Sequence, residues 1–171
     1  MEKNEFTATT KQWLKAKGFS KARYIWYFYP LGDFNIVFAF YKDRFDEKYY
    51  IETGFCLNEE TINDGLNVRL NTGAIEVPNK KYWNHFRTAD NKKHIEKGAF
   101  YYEKWDKDDY LATLEQIYAE HITPYLERGV NYLKAIVVEY QQHLKRIEKY
   151  GKSEGNTYMI HPDAVKIINN M

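Results

Sequence analysis

Few side chains in this sequence have the type and spacing that chemistry requires. Cys56 is the single thiol. A nucleophilic cysteine needs a neighbouring base and a depressed pKa, and no base stands beside Cys56 in the sequence. Its setting in an alternating apolar run reads instead as a small buried hydrophobe. The histidines are His85, His94, His121, His143 and His161. His94 with Glu96, and Glu139 with His143 one helical turn apart, are the local pairs with metal-ligand chemistry. Zinc sites need more ligands at tighter spacing, and neither an HExxH run nor a cysteine pair is present, so no metal or cofactor is expected. Carboxylates gather at Glu59-Glu60 and from Asp106 to Asp109. Hydrolysis by paired acids requires two of them facing across a cleft, whereas these read as a charged loop and a helix start. No glycine-rich loop suits a phosphate. No catalytic residue is assigned.

Recognition is better served. Glu52 and Arg69 fall mid-strand on what the alternation marks as the non-core face, with Tyr27, Tyr29, Tyr41 and Tyr50 around them. Tyrosine is large, stiff and amphipathic, which suits contact surfaces. These six residues are the expected binding surface; the competing reading is a structural ion pair covered by the chain's own helices. Gly54 lets either a helix or a ligand approach the backbone. Basic residues interleave with aromatics at Lys15, Lys17, Lys21, Arg23 and Tyr24, and again at Lys80, Lys81, Trp83 and Arg87. Base-stacking sheets have this flavour, but the RNP signature is missing.

The elements that must position these residues follow from period-two and period-3.6 patterning. Phe6 to Lys17 reads as a helix with Gly18 as its C′ residue and Phe19 folding back. Three aromatic strands follow. The first pairs Tyr24, Trp26 and Phe28 on one side with Ile25, Tyr27 and Tyr29 on the other. Pro30 to Asp33 turns the chain, and the second strand turns Phe34, Ile36, Phe38 and Phe40 inward. The third sets Tyr49, Ile51, Thr53 and Phe55 against Tyr50, Glu52, Gly54 and Cys56. Asn63-Asp64-Gly65 leads to a fourth strand with Leu66, Val68 and Leu70 inward and Asn67, Arg69 and Asn71 outward. Ala74 to Val77 is a candidate edge strand, and Lys80 to Lys97 has no clear period. Two conditions test this reading: Ile36, Phe38 and Phe40 must avoid water, and Tyr27 and Tyr50 must share a side.

Asp106 caps the next helix, which ends at Thr123; Pro124 opens another that runs to Tyr150 and stops at Gly151. Leu126, Val130, Leu133, Val137, Tyr140, Leu144 and Ile147 form a heptad seam. It fits a homodimer through the 124–150 helix or a neighbouring helix of the same chain, and the shared Thr123-Pro124 corner favours the latter. A polar linker from Lys152 to Thr157 leads to a short helix after His161-Pro162-Asp163. The expected organisation is one α+β domain over 1–150: an antiparallel meander of four or five strands, an N-terminal helix and a C-terminal helical hairpin. Residues 151–171 are the linker and final helix.

Several segments together resemble the bacterial family known as domain of unknown function 4304 (DUF4304). They are Leu14-Lys15-Ala16-Lys17-Gly18-Phe19 with the aromatic strand after it, Tyr50-Ile51-Glu52-Thr53-Gly54-Phe55, Val68-Arg69-Leu70, Trp83, and Ile122-Thr123-Pro124-Tyr125-Leu126-Glu127-Arg128. The likeness spans roughly residues 6–145. Tyr82-Trp83 stands where that family commonly has two tryptophans. The resemblance implies an α+β domain and carries over no activity and no catalytic residue.

Composition narrows the function classes. The 171 residues include 16 tyrosines, and the formal charge is only +1, so no global field draws the chain to nucleic acid or anionic lipid. No apolar run approaches the roughly 18 residues that span a bilayer. The start, Met-Glu-Lys-Asn-Glu, lacks a basic and then apolar leader, so a cytoplasmic location is expected. The expected function is a non-catalytic bacterial protein-binding module of the immunity or adaptor type, which occludes a partner such as a small toxin. The alternatives are a single-stranded nucleic-acid-binding protein and a hydrolase with an acid/base site.

Overall fold

The computed structural model describes residues 1–23, 25–57, 68–70, 74–151, 160 and 162–171, with residues 23 and 68–70 described by backbone alone. The fold is α+β: an N-terminal helix and C-terminal helices packed on an antiparallel sheet. The expected Lys152–Thr157 linker, Glu59-Glu60 and the Asn63-Asp64-Gly65 turn lie outside the described residues.

Helix α1 spans Lys3–Ala16, and its buried side, Phe6, Thr9, Thr10, Trp13 and Leu14, recurs at three- and four-residue spacing. It ends as the sequence implies. Phe19 N–H donates to the Leu14 carbonyl at 2.9 Å and Gly18 N–H to that of Lys15 at 3.0 Å, the two bonds of a Schellman cap. Gly18 sits at φ +88°, and an added Cβ would stand 3.0 Å from the Tyr29 ring. Gly18→Ala is therefore expected to lower stability by about 1–2 kcal/mol, measured by urea unfolding.

The sheet runs in chain order: β1 Ser20–Arg23, β2 Trp26–Leu31, β3 Phe34–Lys42, β4 Tyr49–Leu57 and β5 Val68–Leu70, all neighbours antiparallel. A two-residue turn at Gly32-Asp33, with Gly32 at φ +61°, joins β2 to β3. Pro30 is tolerated because β1 pairs only as far along β2 as Phe28, so no ladder bond is lost. On the core side Ile36 and Phe38 are fully buried and Phe40 is 7 % exposed, as the alternation requires. Helices close over them: Trp13 meets Phe38 at 5.8 Å, Phe6 meets Phe40 at 5.9 Å, and Phe34 meets Tyr125 at 6.2 Å between ring centroids.

The second condition fails. Tyr27 lies across from Phe38 and Tyr29 across from Ile36, so both share the core face. Tyr50 lies across from Tyr41 and belongs to the other side. The physical reason is parity. A hairpin turn with an even number of residues puts odd positions of β2 on the face of even positions of β3, and the core face of β3 carries Phe34, Ile36, Phe38 and Phe40. Arg69 also departs from expectation, since the backbone register sets it across from Phe55, on the core side, and sets Val68 and Leu70 across from Cys56 and Gly54.

Residues 80–97 are more ordered than their pattern implies. A 3-10 turn at Lys80–Tyr82 leads into β6 (Asn84–Arg87) and β7 (Lys93–Glu96), an antiparallel hairpin forming its own two-stranded sheet. Ala74 to Val77 forms no strand, but Ile75 N–H donates to the Ile51 carbonyl and Val77 N–H to that of Lys97.

Helix α2 (Lys107–Ile117) is capped by Asp106, whose carboxylate accepts the Asp108 N–H at 2.9 Å. The expected stop at Thr123-Pro124 is not one. A wide π turn at Tyr118–Ile122 carries the chain into α3 (Thr123–Arg128), accommodating the N–H that Pro124 lacks. The corner falls instead at Gly129, with φ +51° and ψ −130°, before α4 (Val130–Tyr150). Leu133 and Val137 of the heptad seam are buried in the chain's own core, while Leu144 is 40 % exposed. Helix α5 (Pro162–Asn170) docks, burying Ala164 and Ile168 in the same core.

Candidate binding surface

Of the six expected surface residues, the structure gathers three on the far face of the sheet: Tyr41, Tyr50 and Glu52. Tyr27 is buried on the core side, and Tyr29 packs there against Phe19. The side chain of Arg69 lies outside the described residues, and its register is not the one that a couple with Glu52 needs. Glu52 is partnered instead by the Tyr41 hydroxyl, which donates to Oε1. The middle of this face is apolar and closed: Phe28, Val37, Ala39 and Cys56 are all buried.

A larger polar network stands at the Tyr50 end, and Glu96 at the root of the hairpin is its hub. Its Oε1 accepts from Lys48 Nζ at 2.9 Å and from the Tyr50 hydroxyl at 3.0 Å. Its Oε2 accepts from the Tyr101 hydroxyl at 2.6 Å. Asn84, across the ladder from Glu96, donates to Tyr101 at 3.1 Å and accepts from Lys104 at 2.9 Å. Lys48 also pairs with Asp46 at 2.9 Å. The Tyr41 and Tyr50 rings lie 5.6 Å apart, which joins this network to the Tyr41–Glu52 pair.

Titration here moves away from neutrality. Burial works to raise the Glu96 carboxyl, yet the bonds from Tyr101, Lys48 and Tyr50 hold it below its ordinary value. Burial works against the Lys48 ammonium, but Asp46, Glu96 and Tyr50 outweigh it and hold the pKa well above the usual lysine range. Burial and the Glu96 carboxylate push Tyr101 up to about 12. Tyr41 and Tyr50 are raised chiefly by burial. Acid–base catalysis wants groups that exchange protons near the working pH. These are instead held in one state each: ammonium, carboxylate and neutral phenols.

The chain leading into the hairpin is stapled to the body. Tyr82 stacks on Trp105 at 3.6 Å, and Trp83 Nε1 donates to the Val77 carbonyl at 2.7 Å. Within the hairpin, Phe86 is 44 % and Ile95 is 50 % exposed. Phe86 and His94 share one face with their rings stacked at 5.7 Å, while His85, Ile95, Arg87 and Lys93 share the other.

His94 and Glu96, two positions apart on β7, share a face, but Glu96 is engaged by Lys48, Tyr50 and Tyr101. Glu139 and His143 lie one turn apart on α4, and no group of three or more potential ligands occurs among the described residues. Burial lowers His121. Among the basic–aromatic candidates, Lys17 pairs with Glu115 at 2.6 Å and Lys81 with Asp109 at 3.2 Å. The Lys97 and Lys80 ammonium groups lie 4.6 and 5.5 Å from the Trp83 ring. Tyr24 lies outside the described residues. No helix among them is long and apolar enough to cross a membrane.

The sequence points to Glu96 only as a metal-ligand candidate beside His94, and shows neither its place as hub of the network nor the hairpin. The signal was there only in part: Lys93-His94-Ile95-Glu96 alternates weakly, and its partner Lys48 is 48 positions away. Compared with protein-family models, curated proteins and solved structures, the chain matches none.

Proposed function

We propose that this chain is a non-catalytic protein-binding module, of the immunity or adaptor kind, that engages its partner through the β6–β7 hairpin. The observation that carries this reading is a ribbon that exposes Phe86 and Ile95 on opposite faces. Among the described residues its two strands belong to no larger sheet, and addition of a strand at an outer edge is the mode of binding this reading invokes. Large apolar side chains exposed on a two-stranded ribbon gain little for folding and more for association. The polar network below supports the same reading, because it fixes the hairpin root without keeping a group ready for proton transfer.

The test is capture from the native host with the wild-type chain and with Phe86→Ser/Ile95→Ser. These side chains are largely exposed, so the variant should unfold within about 0.5 kcal/mol of wild type. A protein retained in stoichiometric amount by the wild type and lost by the variant is the expected outcome. Recovery of RNA alone, or equal retention by the variant, contradicts the proposal.

A further inference from the structure

We infer that the β6–β7 hairpin receives an extended acidic segment of its partner, with a carboxylate seated between Arg87 and Lys93 and an aliphatic side chain against Ile95. This rests on the protein-binding reading above and specifies its chemistry.

Arg87 and Lys93 lie directly across from each other on one face of the ribbon. Like charges at such a position oppose the pairing of the two strands. Neither acid of the hairpin relieves them. Asp90 is held by Lys92 at 2.8 Å, and Glu96 is on the opposite face, held by Lys48 and two tyrosines. Arg87 donates to the Asn91 side-chain oxygen at 2.8 Å, an uncharged partner. Lys93 makes no ion pair among the described residues, and both side chains are exposed. Two cations facing each other with no carboxylate partner among the described residues form a seat for an anion. Conflicts between local and global preference of this sort mark functional positions.

The neighbouring pair on the same face is His85 and Ile95. It lies two residues along the ladder, about 7 Å away. A strand added at the hairpin's edge presents every second side chain to that face. An acid and an aliphatic residue two positions apart would therefore meet the cation pair and Ile95 together. An open recess of about 400 Å³ is lined by residues of both strands: His85, Phe86, Arg87, Lys93, His94 and Ile95.

A nucleic acid fits less well. The aromatic pair Phe86–His94 and the cation pair face opposite ways, so one strand cannot stack and meet the cations at once. Two free cations on a chain of net charge +1 also give little of the phosphate neutralisation on which such binding depends.

The test uses the full chain and labelled ten-residue peptides in a Thr/Val background: one carrying Glu-Thr-Ile, one Lys-Thr-Ile, and one with Glu and Ile adjacent. An oligothymidylate is the fourth probe, and anisotropy is the readout. The Glu-Thr-Ile peptide should bind best, weakening about tenfold in Arg87→Gln/Lys93→Gln, as expected for loss of a charge-paired contact. Lys93→Glu should abolish binding while slowing amide exchange in the hairpin about threefold, because an opposite-charge pair replaces a like-charge one. Binding indifferent to peptide charge or spacing, or binding of the oligonucleotide instead, overturns the inference. If Lys93→Glu still holds the host protein as tightly as wild type, the acidic segment is wrong while protein binding stands. If no host protein is retained by the wild type, both fall.

Discussion

Phe6→Ala is expected to lower stability by about 4 kcal/mol in denaturant unfolding, the largest loss from any single change considered. Phe6 is fully buried where α1 meets the sheet. Its ring lies 4.4 Å from Tyr110, 5.3 Å from Tyr49 and 5.9 Å from Phe40, so truncation strips contacts from α2, β4 and β3 together. Rigid aromatic neighbours collapse poorly into the space left behind. Since a domain is stable by only about 5–15 kcal/mol in all, this variant should be close to the limit of folding at elevated temperature. Tyr110→Phe is a contrasting change. It removes a hydroxyl 2.7 Å from Thr10, which keeps its bond to the Phe6 carbonyl at 2.9 Å. The loss there should be about 1 kcal/mol.

Glu96→Gln is expected to cost about 2 kcal/mol near neutral pH, because it leaves Lys48 largely buried with Asp46 as its one carboxylate. Breaking a pair in a low-dielectric setting hurts mainly through the charge left behind; here Asp46 softens that. The pH dependence carries the sign. The Glu96 carboxyl is lowered in the folded chain, so its contribution is present above the ordinary value of 4.5 and fades as pH falls through the lowered one. Lys48 is raised, so its share is present below 10.5 and fades as pH climbs toward the folded value. Urea unfolding of wild type against Glu96→Gln should therefore diverge most between about pH 5 and 10, and converge toward acid. A difference independent of pH would show that the carboxylate's charge is not what matters.

Local signals in the sequence were read well. The Gly18 cap, the Asp106 cap and the burial of Ile36, Phe38 and Phe40 each follow from a few adjacent residues. Alternation sorted each strand into two sets, but it did not say which set of β2 joins the core. Treating tyrosine as an outward residue misplaced Tyr27, which is buried, and Tyr29, which is partly buried against the core. Counting parity through the Gly32-Asp33 turn would have placed them correctly. The hairpin was illegible because both its faces meet water. With no buried side there is no contrast between successive residues, and Asn84 to Arg87 carries one large apolar side chain in four. The Glu96 network was illegible for a different reason, since Lys48, Tyr50, Glu96 and Tyr101 come from two strands and two connecting segments that only the fold brings together. Pro124 and Gly129 are both helix breakers by type, and the sequence alone does not rank them. The proline had a wide turn to absorb it, whereas a glycine at φ +51° ended the helix.

The central claim is that the hairpin, and not the tyrosine-bearing sheet face, meets the partner. Amide hydrogen exchange of the full chain, alone and saturated with the protein recovered from its host, tests this most directly. New protection confined to residues 84–96, with 36–41 and 50–56 unchanged, is the expected pattern. Protection that appears along β3 and β4 while the hairpin exchanges as in the free protein would contradict it.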